Sequence, residues 1–343
     1  MADPMADAAS LTTSSRTRSR RWKVGIVSVL FTAVFLYLLF TQVNLHDVFA
    51  AISGASWKLV LFGFLLYCTS AYLRALRYRV LLQKRIPVRA LFAAVTIQTM
   101  VINLIPNFIG EFSYLYLVKR LGNVRGGHAF ASMVVARLFD LVAVFALFLV
   151  FVFVPKDVSS FMLHVLWIMS VIILIVLTMF LLLLFMKERF CDALARCFAA
   201  MRLSRIPMGA LLLKKIREMS EALEETKSPR VLLSCFALSI LIWLVSFTLA
   251  AVLINASGYS LSFPIVAIGT AFSKLMSVLP VYGIAGFGTT EGFWSLGFMA
   301  LGVDKAAAIV TGFGVHIFTL LYTLVLGTIF LAKNWSVLFK MKK

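Results

Sequence analysis

Leu279-Pro280-Val281-Tyr282-Gly283-Ile284-Ala285-Gly286-Phe287-Gly288-Thr289-Thr290-Glu291 interrupts an apolar run that extends from residue 263 to residue 302. Proline removes a backbone donor, and clustered glycines loosen a helix. In hydrocarbon such a break survives only where protein or a water-filled cavity surrounds it. A second break, Ile105-Pro106-Asn107-Phe108-Ile109-Gly110-Glu111, divides the run 88–122. The arm after each break, residues 111–122 or 291–302, rises only about 18 Å as a helix, roughly half a bilayer. Both stretches therefore read as re-entrant hairpins, with Pro106, Gly110, Pro280, Gly286 and Gly288 shaping their backbone.

Outward from the breaks the chain runs through uninterrupted apolar spans at residues 24–42, 57–78, 128–154, 161–186, 231–255 and 305–332. The reading is an all-α fold: a polytopic transmembrane bundle of six full spans and two re-entrant broken-helix hairpins, about eight membrane segments. Composition agrees. Hydrophobic residues make up 62% of the 343 and charged residues only 14%, too little polar surface for a soluble protein of this size. The net charge of +19 sits in short segments beside the spans, which is the footprint of topology and anionic headgroups rather than of nucleic acid. No zinc-finger spacing or basic heptad region is present.

Cytoplasmic loops collect Lys and Arg. With the amino end inside, the segment after the second span holds Arg74, Arg77, Arg79, Lys84, Arg85 and Arg89. A full crossing by 88–110 would expel Lys119, Arg120 and Arg125; a hairpin that dips and returns keeps them inside. Both termini are then cytoplasmic. The chain divides into a basic tail (1–23), a first transmembrane half (24–186) with hairpin 88–122, a cytoplasmic loop (187–230), a second half (231–332) with hairpin 263–302, and a basic tail (333–343). In the loop, Leu212, Ile216, Met219 and Leu223 share one face of an interfacial helix, which could also dock a lipid-biosynthetic enzyme. Cys68 and Cys235 lie in apolar runs, and Cys191 and Cys197 match no zinc spacing; all four read as inert thiols.

The two broken stretches match at an offset of 180 residues. Glu111 corresponds to Glu291, Leu121-Gly122 to Leu301-Gly302, and Arg125 to Lys305. One hairpin opens to each side of the membrane, an inverted repeat of the kind that places transport sites at the midplane. Arg137 and His316 lie about 14–17 Å into their spans at helical rise, and Lys274 is as deep from the other boundary. Glu111, Arg137, Lys274, Glu291 and His316 are thus expected to converge. An ionisable group there costs at least ~2.5 kcal/mol, so pairing or hydration is required. Arg137 and Asp140, at i and i+3, could form an ion pair. Each glutamate should open a half-helix, whose exposed N–H groups can also hold an anion.

Asn103-x-x-Pro106-x-x-x-Gly110-Glu111, Arg137-x-x-Asp140 and Pro280…Gly286-x-Gly288-x-x-Glu291 resemble the lysylphosphatidylglycerol synthase transmembrane family, described as flippase-like integral membrane proteins. The likeness runs from about residue 24 to about residue 332. It implies a protein of the bacterial inner membrane that moves a modified or anionic lipid between leaflets, or serves a lipid, isoprenoid or envelope-glycan pathway. No aminoacyl-transferase domain follows the spans, so lysyl transfer is not expected. His316 stands where the family pattern leads one to expect arginine.

The leading expectation is a lipid translocase that meets an anionic headgroup through Arg137 and Lys274, with protonation of Glu111 and Glu291 coupling the motion. The alternatives are a membrane-embedded lipid-modifying transferase and a non-catalytic partner of a biosynthetic enzyme. No P-loop, Asp-x-Asp, H-E-x-x-H or Gly-x-Ser-x-Gly occurs, and no metal or cofactor is called for.

Overall fold

In hydrocarbon the chain has no water to satisfy its peptide groups, so apolar segments close their hydrogen bonds internally as helices. The computed structural model describes residues 45–104, 107–122, 124, 126–152, 228–276 and 283–339, with isolated positions between 164 and 196. Their regular structure is helical, with no strand among the described residues. The expected spans 24–42 and 161–186, the loop 187–230, Pro106 and Pro280 lie outside them or are described only at isolated positions.

Four described helices are long and apolar enough to cross a membrane. They are α2 (Trp57–Leu81), α5 (Gly126–Val152), α6 (Pro229–Ala256) and α9 (Lys305–Phe339). Pro229 sits at the start of α6, where its missing donor is no loss. Asp304 Oδ2 accepts the Ala306 and Ala307 amides at 3.0 and 3.2 Å and so caps α9. A short helix not evident from the sequence, α1 (Leu45–Ser53), buries Val48 against Ile309, Val310 and Phe313 of α9 and leaves Phe49 outward.

Each broken stretch is a pair of packed short helices. The first pairs α3 (Val88–Leu104) with α4 (Asn107–Gly122). The second pairs α7 (Phe263–Met276) with α8 (Thr289–Met299), and a 3-10 turn at Ile284–Gly286 precedes α8. With 11 residues, α8 is about 16 Å long, the half-length arm expected. The other arm departs from expectation. Helix α4 starts at Asn107 rather than Glu111 and runs for 16 residues, or about 24 Å. Gly110 does not break it, because the missing Cβ lets α4 lie directly on the α3 backbone at Ile102.

Long helix, hairpin, long helix occurs twice, as α2–α5 and as α6–α9. The two units pack on each other, with α2 running antiparallel to α6. The Ser56 amide at the start of α2 donates to the Ala256 carbonyl at the end of α6, 3.1 Å away, whereas Arg77 near the end of α2 reaches Ser239 near the start of α6. Helix α3 lies on α9, with Phe92 against Phe330 at 5.1 Å and Met100 against Gly327. Helix α7 lies on α5, where Phe151 meets Phe263 at 5.7 Å. The largest buried cluster fills the space among α2, α3, α4 and α5. There Tyr78 stacks on Tyr114 at 4.4 Å, and the Tyr114 hydroxyl is 3.1 Å from Ser132.

Candidate functional site

Charge cannot be buried singly in this interior, and three acid–base couples answer that demand. On α4, Glu111 accepts Arg137 Nη2 of α5 on Oε1 and Gln98 Nε2 of α3 on Oε2, the latter at 3.2 Å. On α8, Glu291 is fully buried and meets His316 Nδ1 of α9 at 2.6 Å. Its other oxygen accepts the Gly288 amide at 2.8 Å. The ring of Phe287 lies 4.8 Å from the imidazole. On α5, Asp140 takes a bidentate fork from Arg77 of α2, at 2.6 and 2.9 Å. Ser239 of α6 accepts the same guanidinium at 2.7 Å.

Two expectations are corrected. Arg137 and Asp140 share a helix face but do not bond each other: Arg137 turns to Glu111, and Asp140 takes Arg77. Only Glu291 stands at a helix start, since Glu111 lies one turn inside α4. The amide at the head of α8 is occupied by the Glu291 carboxylate, so that helix start holds the chain's own anion.

Arg77 and Arg74 were legible only as loop cations, because they fall in the last turns of an apolar run and counted toward the basic segment after it. The signal that would have found them is an interior carboxylate, Asp140, in want of a partner. Gln98 and Ser239, neutral and isolated in sequence, carried no signal.

Glu111, Arg137, Asp140 and Arg77 lie close enough to act on one another electrostatically, and Arg74 joins them through Asp140, whereas Lys274 on α7 is exposed and joins none of the three couples. Glu291 and His316 form a separate couple. The two breaks are nevertheless neighbours, since α3 packs against the 3-10 turn at Ile284–Gly286. A second polar link ties the first hairpin to α9: Asn103 Nδ2 donates to Thr323 Oγ1 at 3.2 Å, and Tyr67 of α2 meets the same hydroxyl at 2.9 Å.

The family model described as the lysylphosphatidylglycerol synthase TM region matches residues 25–327. The chain belongs to that family. No curated protein and no solved structure matches it. Membership in the lysylphosphatidylglycerol synthase TM family ties this multi-pass membrane protein to membrane lipid. The motif positions that carried the resemblance are among those now seen in contact: Asn103, Glu111, Arg137, Asp140 and Glu291 each hold a polar partner.

The backbone at the second break is held in the left-handed region at Ala285 (φ 51°), Gly286 (φ 80°) and Gly288 (φ 81°). That curl delivers the Gly288 amide to Glu291. Gly288→Ala is expected to cost about 1–2 kcal/mol, the penalty of a side chain in that conformation. A drop in the thermal midpoint in detergent would register it, and an unchanged midpoint would contradict the strain.

Proposed function

We propose that this protein moves an anionic or anionically modified lipid between the leaflets of a bacterial inner membrane, with both termini cytoplasmic. One observation carries the reading. In each of the two units, the arm after the break presents a carboxylate to a base on the following long helix, 26 residues on at Glu111–Arg137 and 25 at Glu291–His316. This pairing supports the inverted repeat expected from the sequence. In such repeats broken helices frame a site at mid-membrane, and rocking of one unit against the other opens it to either side. The positive-inside count supports the orientation.

The couples act as latches. A headgroup phosphate competes with Glu111 for Arg137, whose side chain is 47% exposed, and freeing the carboxylate lets it take up a proton. Glu291, with no exposure, holds the second unit closed until its own bond to His316 opens.

Leaflet exchange of a quenchable anionic lipid in liposomes tests this. Wild-type protein should exchange lipid, and Glu111→Gln and Glu291→Gln should each slow it at least tenfold, with zwitterionic lipid moved poorly. Absence of exchange by the wild type removes the reading. A new lipid product by mass spectrometry would replace it with a membrane-embedded transferase, and neither exchange nor product would leave a docking partner.

A further inference from the structure

A helical threonine ordinarily donates to the carbonyl four residues back. Thr248, Thr319 and Thr328 do so here, at 2.9, 2.6 and 2.6 Å. Thr323 of α9, 1% exposed, instead turns its hydroxyl to two other helices. It accepts Asn103 Nδ2 of α3 at 3.2 Å and lies 2.9 Å from the Tyr67 hydroxyl of α2. Two helices of the first unit thus meet one buried atom of the second. The helices come close around it. A Cβ on Gly63 of α2 would stand 3.0 Å from the Tyr322 hydroxyl, and one on Gly327 of α9 would meet Met100 of α3. Tyr322 donates to the Val60 carbonyl of α2, with its ring 5.4 Å from Phe64 and 5.9 Å from Tyr67.

The place of this node along its helices gives it reach. The contacts Asn103–Thr323, Met100–Gly327 and Phe92–Phe330 step back along α3 as they step forward along α9. The two helices therefore run antiparallel, and the end of α3 points toward His316. Asn103 stands in the last turn of α3, just before the break at Pro106. Thr323 follows His316 on α9 by two turns on the same face, about 10 Å away. Helix α3 also touches the 3-10 turn that precedes Glu291. Earlier on α3, Gln98 donates to Glu111 at 3.2 Å. One short helix thus grips the first couple through Gln98 and the helix of the second couple through Asn103.

We infer that Thr323 is a positioning residue: with Asn103 and Tyr67 it passes movement of the first hairpin to α9, and so to the bond between His316 and Glu291. The inference deepens the translocase reading and rests on it for its purpose, although the transmission can be tested apart from transport. When Glu111 lets go of Arg137, α4 and the α3 that lies on it are freed from α5. With the node made, α9 follows α3, and His316 shifts against Glu291, whose carboxylate is tethered to its own Gly288 amide. Without the node, α3 slides past α9 and the second couple stays closed. A hydrogen bond between membrane helices is weak enough to part and re-form, while the Tyr322 contacts keep α2 and α9 in register. The node is uncharged, so it links the two couples without burying another ion.

Backbone amide hydrogen exchange of the full chain in non-ionic detergent, read by mass spectrometry over residues 283–299, provides the test. Glu111→Gln weakens the first couple and should speed exchange in that segment at least threefold. Added to Thr323→Val, which removes the hydroxyl and keeps the shape, or to Asn103→Ala, it should leave exchange there unchanged. Added to Thr323→Ser, it should speed exchange as in the wild-type background. Thr323→Val alone should unfold near the wild-type temperature and exchange at the wild-type rate. A full response to Glu111→Gln without the hydroxyl overturns the inference, and so does no response with it. Faster exchange and a clear fall in unfolding temperature in Thr323→Val alone would make the node a structural contact only, which overturns it too. Vesicle assays separate the two readings. Thr323→Val should slow lipid movement at least fivefold, and wild-type rates there would remove the node and keep transport. A response that depends on Thr323, with no lipid moved by the wild type, would keep the transmission and remove transport.

Discussion

Asp140→Leu will destabilise the protein by about 3–5 kcal/mol, the cost of leaving a buried charge without its partner. Arg77 is 2% exposed and donates to both oxygens of Asp140. Once the carboxylate is gone, its guanidinium keeps only Ser239, in a bundle with little water to replace what was lost. The reverse change, Arg77→Met, strands the carboxylate and should cost a similar amount. The double substitution Arg77→Met/Asp140→Leu should recover most of the loss, because a buried ion pair exchanged for apolar groups of like volume is often close to neutral. Thermal unfolding of the single and double variants in detergent reads this as a cycle. Additive losses, with no recovery in the double variant, would mean that the pair is not the unit the geometry makes it.

Gly110→Ala should have the next largest effect, and on two observables. A Cβ there would stand 2.6 Å from Ile102 Cα and 2.9 Å from Ile102 N. Both are backbone atoms, so no rotamer change relieves the clash, and α3 and α4 must part. Overpacking of this kind costs about 1–3 kcal/mol. The functional loss should be out of proportion, because Glu111 is the next residue and moves with the helix away from Arg137 and Gln98. Lipid exchange is expected to fall at least tenfold while the folded fraction stays high. Gly126→Ala is the control: nothing lies within 4 Å of its Cβ position, and it should leave both stability and exchange unchanged. Equal exchange in the two variants would show that the hairpin seam does not position Glu111.

The long helices were legible because a bilayer imposes a minimum apolar length, and that constraint is written residue by residue. The breaks were legible because Pro and Gly act locally. What escaped was tertiary. Arg137 and Asp140 look like partners three residues apart, yet each finds a better-placed group on another helix, Asp140 at a sequence separation of 63 and Arg137 at 26. No periodicity encodes such pairings. Arg74 and Arg77 were lost to a rule that counts cations near span ends as loop residues. That rule sees sequence distance from an apolar run, whereas burial depends on where the neighbouring helices begin. The start of α4 escaped for a related reason: a glycine that ends an isolated helix can continue one when another backbone lies against it.

Helix α9 has 35 residues, about 52 Å at helical rise, against roughly 30 Å of hydrocarbon. Even at a steep tilt its final turns must emerge among the headgroups. There Trp335 is 56% exposed and Lys333 lies 5.6 Å over the Phe330 ring, both residue types suited to that layer. The Tyr116 hydroxyl donates to the Leu338 carbonyl at 2.6 Å, clamping the first hairpin to the emergent stub. A bilayer that thickens or thins therefore changes how much of this stub stays wet, and the interior latches need not shift register. The protein should keep working across membranes of different acyl length, with the overhang serving as its slack.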